Sequence, residues 1–500
     1  MRPNNNTLLY LAATGLLFLC ACNPTPKYVR PPAPTPSAYK ESGEKDGTGW
    51  KLAQPGDDKL RGKWWEIYND PQLSGLEEQV AISNQSLKVA EANFRAARAL
   101  VISARSALFP TIGATPAYTN SRSSGTTTKF PGISSVNNEW ALPFDVSYTP
   151  DFWHRIRNQI DVEAFTAQAS AADIATALLT TQADLATYYF ELRATDMQVK
   201  ILTDTMANYR QNVDLTNTLY KTGIDSEQDL VQAQNQLDTA TAQATDLGVA
   251  RAQYEHAIAV LIGKPPAELS IPVATFNSDP PQVPVAVPST LLERRPDIAA
   301  LERTIAAANS QIGIARAAYY PTLTLSASGG LESYSFTKWF GSPSRFWSLG
   351  PSLSQTLYDH GARRALNLQA EAQYDAAVAN YRQTVLTSFQ AVEDQLAALR
   401  ILSAEIIQQQ TAINSSQRYL DLALLRYKTG VDSYLNVITA QNSLLTNRES
   451  QVSSELRRMS ASVALIMALG GGWDPASLPK EKDLTAIPPR NSRPASNKTP

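Results

Sequence analysis

Groups able to do covalent or acid–base chemistry are sparse in this sequence. The three histidines, His154, His256 and His360, fall on three different predicted elements, so no local spacing lets two share a metal or a proton. His154 and His360 precede two matching long helices and read as polar helix-start or interfacial residues. No glycine-rich loop follows a strand as a phosphate site requires. Carboxylate pairs fall on predicted helix surfaces, where a solvated face is the expectation. Enzymatic activity, a metal centre and a bound cofactor are therefore not expected. What stands out instead is an acidic cluster, Asp225, Glu227 and Asp229, which offers a negative field without an acid–base partner.

That cluster sits in the stretch that organises the chain. Residues 220–237 read YKTGIDSEQDLVQAQNQL and return as YKTGVDSYLNVITAQNSL over 427–444, with ten of eighteen positions identical. Each copy reads as a helix end, a tight turn and a helix start. Gly223 and Gly430 suit the left-handed conformation past a C-cap, and Asp225–Ser226 and Asp432–Ser433 offer oxygens to the free N–H groups of the next helix. The chain thus contains two matching helical hairpin tips, and a duplication is expected.

The 500 residues carry a net charge of −2 with 18% charged residues, so no basic field points to nucleic acid. Mean hydropathy is −0.25, and past the N-terminus no apolar run reaches the ~18 residues of a membrane helix. An inner-membrane helical transporter is excluded on that ground. At the N-terminus, Arg2, the apolar run 8–19 and LCAC ending at Cys22 resemble the lipobox of a bacterial lipoprotein signal. The resemblance implies a signal peptide over 1–21, a covalent lipid on Cys22, and, with Asn23 following, retention in the outer membrane. An exported chain without paired cysteines is not held by disulfides.

A proline-rich segment over 22–63 predicts an extended tether rather than a packed element. Trp64, Trp65 and Tyr68 mark where packing begins. The first repeat (64–263) and the second (289–472) flank a proline-rich linker (264–288), and 473–500 reads as a disordered tail. Within each repeat a helix ends at Phe109-Pro110 or Tyr320-Pro321, and the period then changes from 3.6 to 2. Strands are expected near 111–119, 140–149, 322–331 and 347–357, each with one apolar and one small polar face. Aromatics gather toward the strand ends, Trp153 and Tyr320 at one end and Trp140 and Trp347 toward the other, in the manner of a membrane-barrel girdle. Four strands cannot close a barrel; two chains would supply about eight strands and three about twelve. Helices of about 100 Å follow, each expected beside two shorter helices stacked end to end.

Segments 22–39, 64–73, 151–158, 294–298, 315–323 and 426–445 together resemble the outer membrane efflux protein family, the TolC/OprM-like outer membrane factors, in its lipoprotein branch. The resemblance implies a mainly α chain with a membrane β-barrel: a homotrimer whose shared twelve-stranded barrel continues into a periplasmic α-helical barrel. It implies a passive exit duct for small molecules such as drugs, in outer membrane lipid. The implied partners are a periplasmic adaptor docked near the tip turns (Tyr220, Gly223, Tyr427, Gly430) and an inner-membrane transporter of the resistance–nodulation–division (RND) type. Family tips constrict the periplasmic entrance with acidic side chains. Here Asn436 and Thr439 stand where relatives frequently carry aspartate, which shifts the expected charge to Asp225, Glu227 and Asp229, with Asp432 in the second tip. A duct for type I protein secretion, or a periplasmic coiled-coil lipoprotein without a pore, are the alternatives.

Overall fold

The computed structural model describes residues 23–36, 39–41, 62–122, 124, 126, 136–275, 279–281 and 294–486. Cys22 and the signal segment lie outside them. Two short helices, α1 (Pro71–Ser83) and α2 (Gln85–Ser106), lead to strands β1 (Thr111–Ala114), β2 (Ala117–Arg122) and β3 (Val136–Tyr148). Then come α3 (Arg155–Lys221) and α4 (Glu227–Leu261). The second half repeats the plan with α5 (Pro296–Ala317), β4 (Thr322–Ser333), β5 (Arg345–Ser354), α6 (Ala362–Lys428) and α7 (Tyr434–Ala468). The long helices α3 and α6 have 67 residues each. Their returning partners α4 and α7 have 35 each. At 1.5 Å per residue these are about 100 and 52 Å.

The shorter helices stack end to end, and the junctions explain how. The last carbonyls of a helix have no partner inside it. At the α4 end, Ser83 Oγ donates to the Ile262 carbonyl at 2.5 Å and Asn84 Nδ2 to that of Leu261 at 2.8 Å. At the α7 end, Arg295, held by Asp297 at 2.6 and 3.0 Å, donates to the Ala468 carbonyl at 2.9 Å. So α2 continues α4, and α5 continues α7, alongside α3 and α6. Gly470, at φ +90°, lets the chain ends meet, since a Cβ there would lie 2.3 Å from the Arg294 carbonyl oxygen.

All strands join one antiparallel sheet in the order β1/β2–β3–β4–β5. The expected first strand is split at Thr115–Pro116, but its register is unbroken: Ala114 faces Phe144 and Ala117 faces Ala141. Pro116, and Pro143 opposite Thr115, each lack the N–H that would complete the ladder there. The pairing of β3 with β4 fuses the two hairpins into one surface. Alternation runs through the sheet: Leu142, Phe144 and Val146 share a face with Leu331, Ala327, Leu349 and Leu353, opposite a face mainly of small and polar residues that also carries Phe346, level with Gly330. Among the described residues the β1/β2 and β5 edges are unpaired.

Two sequence expectations need correction. The N-terminal segment is extended, but it is packed rather than a loose tether. Pro26 and Pro32 carbonyls accept from Asn309 and Arg382, Arg30 pairs with Glu302 at 3.3 Å, and the Tyr39 ring is buried near Phe389. An extended proline-rich strand forms no internal hydrogen bonds, which leaves its carbonyls free for such side chains. The tail is ordered as far as Ala486: a short helix α8 (Glu481–Thr485) inserts Leu484, fully buried, beside Val101, Ile160 and Ala164. Arg98, donating to the Ala486 carbonyl at 2.8 Å, and Gln168, donating to that of Pro479 at 3.1 Å, help to seat this segment.

Candidate functional site at the hairpin tips

Both tips form as the repeat predicts, with Gly223 at φ +72° and Gly430 at φ +71°. The N–H groups of Ile224 and Val431 return to the carbonyls of Leu219 and Arg426, each at 2.9 Å, which closes the helix ends. Below this shared backbone the two copies diverge. In the first tip Ser226, not Asp225, is the N-cap: its Oγ accepts from the Asp229 N–H at 3.2 Å and donates to the Asp229 carboxylate at 2.8 Å. Partial burial and the neighbouring Asp225 push the Asp229 carboxyl above its usual value despite that hydroxyl. Glu227 is exposed in the first turn.

Asp225 reaches across to the other hairpin and accepts the Tyr427 hydroxyl proton. The same phenolic oxygen lies 3.2 Å from Thr216 Oγ1, which is buried on α3. Burial, then the Asp225 carboxylate, raises the Tyr427 pKa well above that of a free phenol. Tyr427 stands 5.1 Å from Tyr434, ring to ring, in an apolar knot with Ala233, Ala423, Val437 and Ala440. Its repeat equivalent, Tyr220, is 41% exposed. Equal residues in the two copies thus do unequal things.

In the second tip Ser433 makes no cap bond. Asp432 accepts from its backbone N–H at 3.2 Å, from Asn436 at 2.5 Å and from Arg426 at 3.1 Å. Desolvation opposes these donors, but together they hold the Asp432 carboxyl below the usual range. Asn436 is therefore a support for Asp432, and Thr439 is exposed with its hydroxyl turned to the Leu435 carbonyl. Just above the tips, Asn208, Asn212, Gln417, Asp421 and Arg448 line a polar groove of about 300 Å³ between α3, α6 and α7.

At the sheet, Trp153 stacks on Tyr320 at 4.6 Å and donates to the Pro321 carbonyl, fixing the strand-to-helix corner. Trp140 and Trp347 lie on one face at different heights. Trp140 faces Ser333, whereas Trp347 faces Gly329 and so stands level with Phe144, about 13 Å nearer the helices.

Sequence reasoning missed a buried ionic cluster midway along α3. Arg193 and Asp196, 1% and 2% exposed, pair at 3.2 Å, and Arg251 reaches Asp196 at 2.8 Å. The cluster holds the linker: Arg193 donates to Pro272 O, Arg251 to Ile271 O, and Asp196 accepts from Ala274 N. Its carboxylates were expected on a solvated face, and the i,i+3 spacing of Arg193 and Asp196 and the i,i+4 spacing of Arg251 and Glu255 carry no sign of burial.

Among the described residues no group of His, Cys, Asp or Glu is placed to hold a metal, and no helix is long and apolar enough to cross a membrane. Known proteins are similar to this chain in sequence and, where solved, in architecture. The toluene efflux pump outer membrane protein TtgC of Pseudomonas putida is 29% identical over 470 residues, covering 93% of this chain and 96% of its own length. The solvent efflux pump outer membrane protein SrpC of Pseudomonas putida is 31% identical over 473 residues, covering 92% and 97%. The solved outer-membrane channel OprN superposes with a TM-score of 0.80 at 27% identity, over 90% of this chain and all of that one. The outer membrane efflux protein profile matches residues 76–264 and 287–471, one stretch for each half that carries a tip, and the chain belongs to that family.

Proposed function

We propose that this chain is one of three identical subunits of an outer membrane exit duct through which a tripartite pump discharges small molecules. The observation that carries the reading is the sheet. It has one apolar and one small polar face and two unpaired edges, and it continues directly into helices of about 100 Å. In lipid such edges must be paired, and edge-to-edge closure of several copies pairs them. Above the tips, α6 packs on α5 and α7, and α4 on α3. Both still expose apolar residues, Ile401 and Ile407 on α6 and Val231 and Val249 on α4, as side-to-side assembly requires.

In this reading the polar face lines the pore and the tips form the periplasmic entrance. Asp225, Glu227, Asp229 and Asp432 supply its negative charge. The Asp225–Tyr427 bond holds the two hairpins of a subunit together. A periplasmic adaptor grips the tips, an RND-type transporter supplies the energy, and a lipid on Cys22 adds an anchor. Electron microscopy of the detergent-purified protein tests the assembly. A hollow three-fold cylinder with a short barrel above a long helical tunnel is expected; a solid rod or a lone subunit would end the duct reading.

A further inference from the structure

Strand register assigns each side chain of the sheet to one face, and the charged residues separate completely. Glu139, Asp145 and Glu332 lie on the small polar face, level with Thr119, Gly113 and Ala141. Arg345 pairs with Leu331 on the apolar face, and Arg122 pairs with Val136 on that same face. Among the described residues no strand places an acid on the apolar face. A membrane face is the costliest place for an unpaired charge, unless that charge sits at the interface. Arg345 does sit there, at the strand end farthest from the helices.

The loop between β4 and β5 shows what the arginine meets. Two 3-10 turns, Phe336–Lys338 and Ser342–Ser344, fold it onto itself. The Lys338 carbonyl accepts from Gly341 N at 3.0 Å and from Ser344 Oγ at 2.8 Å, which brings Lys338 beside the start of β5. Trp339 donates to the Leu331 carbonyl at 3.3 Å and stands 5.7 Å from Trp140, ring to ring. Phe336 is 5.0 Å from Trp140, and Tyr118 adds a further ring at 4.4 Å. Trp140 belongs to the apolar face, so the loop folds outward over the lipid side and not across the pore. Tyr334, Phe336 and Phe340 remain exposed at its rim. Lys338 and Arg345 are exposed beside them, and neither forms an ion pair among the described residues.

Aromatic rings mixed with two cations, on the lipid side and at the outer interface, suit one environment. The rings settle at the head-group level, and the cations need an anion at that height. We propose that the β4–β5 loop binds the phosphate-bearing head group of an outer-leaflet lipid, with Lys338 and Arg345 on the phosphates and Trp339 packed against the acyl–head-group boundary. The proposal rests on the barrel reading above. It adds to it a specific lipid site on each subunit.

The test uses the full chain purified as its native assembly in a nonionic detergent, with lipid A, dephosphorylated lipid A and phosphatidylcholine as probes. Binding is read by native mass spectrometry. Lipid A is expected to be retained on each subunit, and the two phosphate-free or zwitterionic comparators to be lost. A basic residue near an anionic surface contributes about fivefold in affinity, so Lys338→Gln with Arg345→Gln is expected to weaken lipid A by about 25-fold. Neither side chain is buried, so the unfolding temperature without lipid should not move. As a check independent of any variant, raising ionic strength should strip lipid A from the wild-type protein and leave any residual neutral-lipid binding unchanged. Equal retention of dephosphorylated lipid A, or unaltered affinity in the double variant, would overturn the site. A preparation that shows no three-fold barrel under the microscope would instead remove the reading on which the site rests.

Discussion

The hydrogen bond that links the two tips rests on one phenolic proton, beside the apolar knot they share. Tyr427→Phe removes it and leaves the ring in place among Tyr434, Val437 and Ala423. Thr216 keeps a partner, because its hydroxyl also donates to the Asn212 carbonyl at 2.9 Å. Asp225 keeps the Ser226 N–H at 3.2 Å and its contact with the Asp229 carboxyl. A hydrogen bond to a charged acceptor is worth about 1.5–3 kcal/mol net, and the half-exposed tip reduces that to about 1–2 kcal/mol through solvent screening. The separation of the two hairpins should therefore become about 5- to 30-fold easier per subunit. Three subunits would multiply the effect. Planar-bilayer recordings of the purified protein should show a higher resting conductance for Tyr427→Phe than for wild type. The unfolding temperature, set by the large core around Trp64, Leu185 and Val463, should fall only slightly. Tyr220→Phe, at the exposed equivalent, is the internal control and should leave conductance unchanged. An unaltered conductance in Tyr427→Phe, or an equal rise in both variants, would refute the tether.

Glu77 is fully buried, neither carboxylate oxygen has a partner among the described residues, and burial pushes its pKa to about 9. The unfolded chain then releases this proton at ordinary carboxylate pH while the folded chain keeps it. Stability consequently falls as pH rises from about 4.5 toward 9, by about 1.4 kcal/mol per unit. Glu77→Gln should raise the unfolding temperature at pH 7, and the gain should shrink toward pH 5; a gain independent of pH would contradict the assignment. A Cβ at Gly330 would lie 2.1 Å from the Leu142 carbonyl oxygen, inside the β3–β4 ladder. Gly330→Val should sharply reduce the fraction recovered as folded barrel on unheated gels, whereas Gly350→Val, with open space around its Cβ, should not.

Local signals were legible in the sequence where a single segment decides its own conformation. The prolines at 110 and 321, the alternation through Leu323, Leu325 and Ala327, and the glycines of the two tips each act within a few residues. End-to-end stacking also followed, because helix lengths leave no other fit. What stayed hidden depends on neighbours distant in sequence. The pairing of β3 with β4 joins strands about 180 residues apart, and no periodicity encodes it. Arg193 and Asp196 look like any charged pair on a helix until the linker returns to cover them. The repeat itself misled in one respect: matching letters at Tyr220 and Tyr427 suggested matching roles. In one chain α3 is flanked by both α4 and α7, while the main helical contacts of α6 are with the stacked pair α5 and α7, so identical residues meet different surroundings.

That unequal flanking predicts where the copies meet. If the wall closes into a ring, the open side of α6 must lie against the open side of α4 in the next subunit. Heights above the tips then pair specific residues. Val249 lies 22 residues into the hairpin from Glu227, and Ile407 lies 21 residues back from Lys428, which is about 33 and 32 Å at the helical rise. They are 58% and 70% exposed, so neither is covered within its own chain. Val249→Cys combined with Ile407→Cys should give dimers and trimers with a bifunctional maleimide of about 10 Å, long enough to bridge helices packed 8–10 Å apart. Either cysteine alone should give none above background. Pairing Val249→Cys with Leu366→Cys, which is exposed on α6 near the barrel, is the mismatch control, offset by about 60 Å. Trimer bands from the matched pair only would place α4 beside the neighbouring α6. Monomer from the matched pair, in protein that is assembled by electron microscopy, would mean that the ring closes through other faces.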